Sequence, residues 1–93
     1  MAKKKFHLRV ITPKAVKVEK DVEMVIMRCT TGDMGIMANH QPYSAALIHA
    51  PLRILDEGSE RILDVHGGIA EIENNVLTVI SGQAEWVESV SKF

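Results

Sequence analysis

The chain has 93 residues, 46% hydrophobic and 25% charged, with a formal net charge of −1. That size holds one domain, read here as residues 1–93, and that apolar content excludes a disordered chain. The near-neutral charge offers no general attraction to nucleic acid or anionic lipid, no run of ~18 apolar residues is present to span a membrane as a helix, and the single cysteine, Cys29, excludes an internal disulfide, as suits a reducing compartment.

Taken in chain order, Lys3, Lys4 and Lys5 read as a flexible basic tail over residues 1–5. Apolar residues then recur with period two, the strand period. Phe6, Leu8 and Val10 alternate with His7 and Arg9, and Thr12-Pro13 ends that strand, because proline has no N–H for a ladder. Val16 and Val18 alternate with Lys17 and Glu19 in a more exposed strand. Val22 to Cys29 is apolar at every position of its middle, which predicts a strand covered on both faces. Gly32-Asp33-Met34-Gly35-Ile36-Met37, followed by Asn39, His40 and Pro42, reads as a structured turn.

Ile48 to Ile54 is a further strand, with Pro51 marking an edge or a bulge. Asp56-Glu57-Gly58-Ser59 is a turn, and Ile62, Leu63 and Val65 form its return arm. Gly67-Gly68 predicts a break, after which Ile69 to Ile72 resumes. Asn74-Asn75 is a two-residue hairpin signal, because asparagine tolerates positive φ. Val76 to Ile80 is the most β-branched segment and so should be central, and Ala84 to Val90 closes the chain with Trp86. Eight or nine short strands at this spacing indicate an antiparallel sandwich or barrel, with no amphipathic helix and no repeat.

Reactive chemistry finds little purchase. The four histidines, at 7, 40, 49 and 66, share no short ligand spacing with one another, so no metal site is expected. A stand-alone module binding a metal or small ligand through them is the alternative reading. Cys29 and His40 lie across a turn, but no third group or oxyanion hole accompanies them, and Cys29 reads as a buried structural thiol. The segment 67–75 has neither a dinucleotide nor a phosphate-loop pattern. Surface recognition is left. Met34, Ile36 and Met37 either plug one end of the core or meet a partner, methionine being suited to both.

The order of these pieces resembles the epsilon subunit of the F-type ATP synthase, called delta in mitochondria. The resemblance covers residues 6 to 88. Its strongest part is Gly32-Asp33-Met34-Gly35-Ile36 with His40 and Pro42, similar to the family's G-E-L-G-I-x-x-G-H-x-P element. Next is Gly67-Gly68-Ile69 with Glu71-Ile72, similar to G-G-x-x-E-V/I, with Asn75-Val76 beyond it. The resemblance implies an antiparallel β-sandwich of about ten short strands and a non-catalytic rotor subunit without cofactors. Its implied partners are the gamma subunit, the ring of c subunits and the other catalytic-sector subunits of the ATP synthase, with membrane contact only through the complex, on the cytoplasmic side. It implies further that Gly32, Asp33, Met34, Gly35, Met37, His40 and Tyr43 meet the c ring and gamma. Asp33 would face basic groups of the c loops, with His40 and Tyr43 lining the gamma contact.

Departures from the family pattern are Ala38-Asn39 where Pro-Gly is common, Met34 for leucine, Gln41 for a small residue, and Ser81-Gly82-Gln83-Ala84 where Ala-Asp-Thr-Ala often stands. Asparagine is the best replacement for glycine in a left-handed position, so the turn is expected to survive. Most family members continue into a helical pair. The sequence reads as a short form without it, expected neither to inhibit by helix extension nor to bind ATP.

Overall fold

A computed structural model describes residues 4–87. Among them the alternating segments form eight strands and no helix: β1 (Phe6–Ile11), β2 (Val16–Val22), β3 (Met24–Cys29), β4 (Gly32–Met37), β5 (Tyr43–Asp56), β6 (Ser59–Glu73), β7 (Val76–Ile80) and β8 (Ala84–Trp86). One continuous sheet runs β2-β1-β7-β6-β5-β3-β4, and β8 pairs with β6. The inward residues of β1 (Phe6, Leu8, Val10) and of β3 (Val25, Met27, Cys29) belong to a single buried cluster. A sheet without helices can bury one face in one cluster only by folding over on itself, which makes it a sandwich. The all-β expectation holds, with eight strands where about ten were expected. The pairing is not wholly antiparallel, since β1 and β7 run parallel from His7↔Val76 to Ile11↔Ile80.

The fold-over is made by the long β5–β6 hairpin. Its buried positions slip phase at one level: Leu47 then Ala50 in β5, Val65 then Ala70 in β6. An odd step in a period-two strand is the signature of a bulge, and bulges bend strands. Gly67 and Gly68 sit at this corner with φ of 74° and 127°. A Cβ at Gly68 would lie 2.1 Å from the Ile80 carbonyl oxygen, so no other residue fits there. The glycine pair therefore bends the strand without ending it, and β6 continues from Ser59 to Glu73. Pro51 lies in the stretch where the β3–β5 ladder is interrupted between Ile26↔Arg53 and Cys29↔Leu47. Its missing N–H costs that ladder nothing.

Three further expectations change. The stretch 32–37 is not a turn but the edge strand β4, in register with β3 from Met24↔Met37 to Cys29↔Gly32. Among the described residues β3 is covered on one face only: Val25, Met27 and Cys29 are buried, whereas Met24 and Ile26 are half-exposed. Lys5 is no part of a free tail, because its ammonium lies 3.1 Å from Asp56 and 2.7 Å from Glu57, which raise its pKa. Lys3 lies outside the described residues, as do residues 88–90 of the expected last strand. β7 is central as expected, flanked by β1 and β6 with Leu77 and Val79 fully buried. Asn74 and Asn75 form the β6–β7 hairpin turn at φ 53° and 63°, and Glu57-Gly58 turn the β5–β6 hairpin the same way.

Candidate functional site

Strand alternation divides the stretch singled out in the sequence. Asp33, Gly35 and Met37 stand on the outer face of β4, opposite Arg28, Ile26 and Met24 of β3. Met34 and Ile36 point inward, Ile36 fully buried and Met34 packed against the core. Met34 is thus a packing residue and does not share the exposed surface assigned to it. Gly32 is exposed and, at φ 127°, closes the turn from β3 with open space beyond it. Met37 is 56% exposed, and with Met24, Leu55, Ala38 and the Lys4 and Glu23 side chains it lines an open, mainly apolar depression at the edge of the sheet.

Asp33 already has a cationic partner within the chain, since the Arg28 Nε–H donates to its carboxylate at 2.8 Å. That bond holds the Asp33 carboxyl below the usual carboxylate range and raises Arg28. A second pair, Arg53 with Glu60, stands on the same face, and Arg53 likewise lowers the Glu60 carboxyl. The outer face of this layer therefore combines an apolar corner with paired charges.

The turn after β4 is held from outside itself. His40 N–H closes it onto the Met37 carbonyl at 3.3 Å, with Asn39 at φ 66°, the position that a type II turn reserves for glycine or asparagine. The Asn75 side chain then accepts the Asn39 N–H at 2.8 Å and donates to the Lys5 carbonyl at 3.0 Å. One side chain thus ties the turn 37–40, the β6–β7 hairpin and the entry to β1. His40 is half-buried, its Nδ1–H donating to the Gln41 carbonyl at 2.7 Å. Tyr43 opens β5, partly exposed, opposite Ile72. Asp33, Gly35 and Met37 are therefore together, His40 and Tyr43 lie along the chain beyond them, and Met34 is separated.

The histidines did not stay scattered. His49 of β5 and His66 of β6 are directly paired, and their rings stack with centroids 3.9 Å apart. Asp64, two residues before His66, places Oδ2 3.0 Å from His49 Nε2 and 3.4 Å from His66 Nε2. The sequence signal for this group was Asp64-x-His66, two donors on one strand face, which a search for paired histidines passes over. His7 lies elsewhere, between Asp21 at 2.8 Å and Glu19 at 3.2 Å, and those two carboxylates raise its pKa. Cys29 is buried, and burial pushes its thiol up, with the Asp33 charge adding to the effect. It is a structural thiol, protonated at neutral pH.

An all-strand body folded into two layers, with an open apolar corner, an edge strand and paired surface charges, is a β-sandwich domain. The family described as ATP synthase, Delta/Epsilon chain, beta-sandwich domain matches residues 5–87. The chain belongs to that family. It is 38% identical over 87 residues to an ATP synthase epsilon chain of Caldicellulosiruptor bescii, covering 94% of this chain and 64% of the relative. To the ATP synthase epsilon chain, sodium ion specific, of Propionigenium modestum it is 36% identical over 85 residues, covering 91% and 62%. The chain thus spans somewhat less than two thirds of the length of these relatives. The fold is shared, at a TM-score of 0.85 and 20% identity, with a chain in the Euglena gracilis mitochondrial ATP synthase OSCP/F1/c-ring structure, covering 94% of this chain and 56% of that one.

Proposed function

We propose that this chain acts as a non-catalytic central-stalk component of an F-type ATP synthase. It binds the gamma subunit, seats it on the c ring beside the catalytic-sector subunits, and couples ion translocation to ATP synthesis. The observation that carries this reading is the family match over residues 5–87 on a body built for surface contact. A rotor coupling has to transmit torque without yielding, and a closely paired sheet folded on itself is stiff. It needs broad contact more than a pocket. The contact surface is assigned to the outer side of β4 and the turn beyond it, through Asp33, Gly35, Met37, His40 and Tyr43, with Gly32 shaping the approach. An exposed methionine corner adapts to a neighbour, and the Arg28–Asp33 pair presents both charges to it. Membrane association is peripheral, through the complex, on the cytoplasmic side.

The test is co-elution. Mixed with purified gamma at micromolar concentration, the chain is expected to run as one complex on size exclusion. Separate elution of the two would refute the reading.

A further inference from the structure

We propose that His49, Asp64, His66 and Glu85 form a binding site for a divalent transition cation, Zn²⁺ foremost, on the outer face of the sandwich. The four residues are brought together by register alone. His49 opposes His66 across the β5–β6 ladder, and Glu85 of β8 opposes Asp64 across the β6–β8 ladder. Asp64 and His66 are two apart on β6, so all four side chains leave the same face. Zn²⁺ holds nitrogen and oxygen donors at ~2.0–2.1 Å in a tetrahedron, which puts neighbouring donors about 3.4 Å apart. Three donors lie near that spacing before any ion arrives, with Asp64 Oδ2 3.0 Å from His49 Nε2 and 3.4 Å from His66 Nε2; Glu85 Oε1, 3.8 Å from His66 Nε2, has to swing inward to become the fourth.

Two details point to a ligand. His66 Nε2 is shielded from solvent and makes no hydrogen bond, which leaves a buried ring nitrogen facing two carboxylates. Glu85 is oriented by Gln83, whose Nε2–H donates to Oε2 at 2.9 Å, so that Oε1 is the oxygen turned toward His66. Gln83 also accepts the His66 N–H through its carbonyl at 3.0 Å, which fixes the strand that carries the imidazole. Ligands held by outer partners in this way bind more tightly than free ones. Two neutral imidazoles and two carboxylates suit Zn²⁺, Ni²⁺ or Co²⁺ better than Mg²⁺ or Ca²⁺, which take oxygen donors. A bound ion would clamp β8, a strand of three residues that among the described residues pairs only with β6, to the body of the sandwich.

The experiment is calorimetric titration of the tag-free chain with ZnCl₂, read for stoichiometry and affinity. One ion per chain is expected to bind with micromolar affinity. His49→Ala and His66→Ala are each expected to weaken binding at least tenfold, and Glu85→Gln several-fold, while His7→Ala and His40→Ala leave it unchanged. His49 is exposed at the strand surface, so its variant keeps the fold and the test stands even if His66→Ala does not. No binding at 100-fold excess zinc, an affinity unchanged in His49→Ala, or a loss that follows His7 or His40 instead, would overturn the proposal. None of these readouts involves gamma, so they stand apart from the rotor assignment.

Discussion

Replacing Asn75 with alanine should remove about 3 kcal/mol of stability. Asn75 sits at φ 63°, where a residue with an ordinary Cβ is strained by ~1 kcal/mol more than asparagine or glycine. Its side chain also accepts the Asn39 N–H at 2.8 Å and donates to the Lys5 carbonyl at 3.0 Å, bonds worth ~1 kcal/mol each net of water. In a domain of this size each kcal/mol shifts the melting temperature by roughly 4–8 °C, so a fall of roughly 12–24 °C is expected. Asn74 isolates the conformational part, because it sits at φ 53° in the same turn; Asn74→Ala should cost only ~1 kcal/mol. Asn75→Gly keeps the backbone and removes both bonds, and should fall between the two. The assay is urea unfolding followed by far-ultraviolet circular dichroism, with amide exchange at Asn39 as the local readout. If Asn75→Ala is no less stable than Asn74→Ala, or Asn39 exchanges no faster, the tie between the turn and the hairpin does not exist.

Gly68→Ala should leave the chain unable to fold, since the new methyl would sit 2.1 Å from the Ile80 carbonyl oxygen; the loss of a cooperative melting transition is the check. The two carboxylates beside His7 raise its pKa, so the stabilisation it adds is complete below about pH 6.5, its ordinary value, and is lost as pH rises through the higher folded value. The stability gap between the native chain and His7→Gln should therefore shrink from pH 6 toward pH 8, by no more than the ~1 kcal/mol of a surface pair. Cys29 should resist alkylation in the folded chain and react at the rate of global unfolding, and fast labelling under native conditions would contradict its burial. Asp33→Lys exchanges the Arg28 ion pair for a repulsion at an exposed, solvent-screened site, so it should leave the fold intact while weakening seating on the c ring, and unfolding instead would make β4 a structural element only.

Much of this fold was legible because strand signals are local. Alternation located β1, β2 and β7, Thr12-Pro13 stopped β1, and Asn74-Asn75 turned the hairpin as its residue types demand. What was misread depended on distant partners. The glycines at 32 and 35 looked like turn chemistry, yet β3 stood ready to pair with them, and pairing drew the segment into a strand. Gly67-Gly68 looked like a break, but the Ile80 carbonyl passing beside Gly68 needs a strand without a side chain there. The apolar middle of β3 reads the same whether a second layer covers it or solvent does, and here Met24 and Ile26 are half-exposed. At the candidate site, Asp33 and Met37 stand on the exposed face of β4, whereas Met34 turns inward because strand phase replaces turn geometry. The His49–His66 pair could not be read from spacing, because its register runs through the corner where both strands slip phase.

Hydrogen exchange measured residue by residue, in the free chain and in the complex with gamma seated on the c ring, tests the proposed contact most directly. The account predicts protection concentrated on 32–37 and on the turn through His40, with the opposite face around Ile69 and Ile80 exchanging as in the free chain. Protection of that opposite face with β4 unchanged would contradict it.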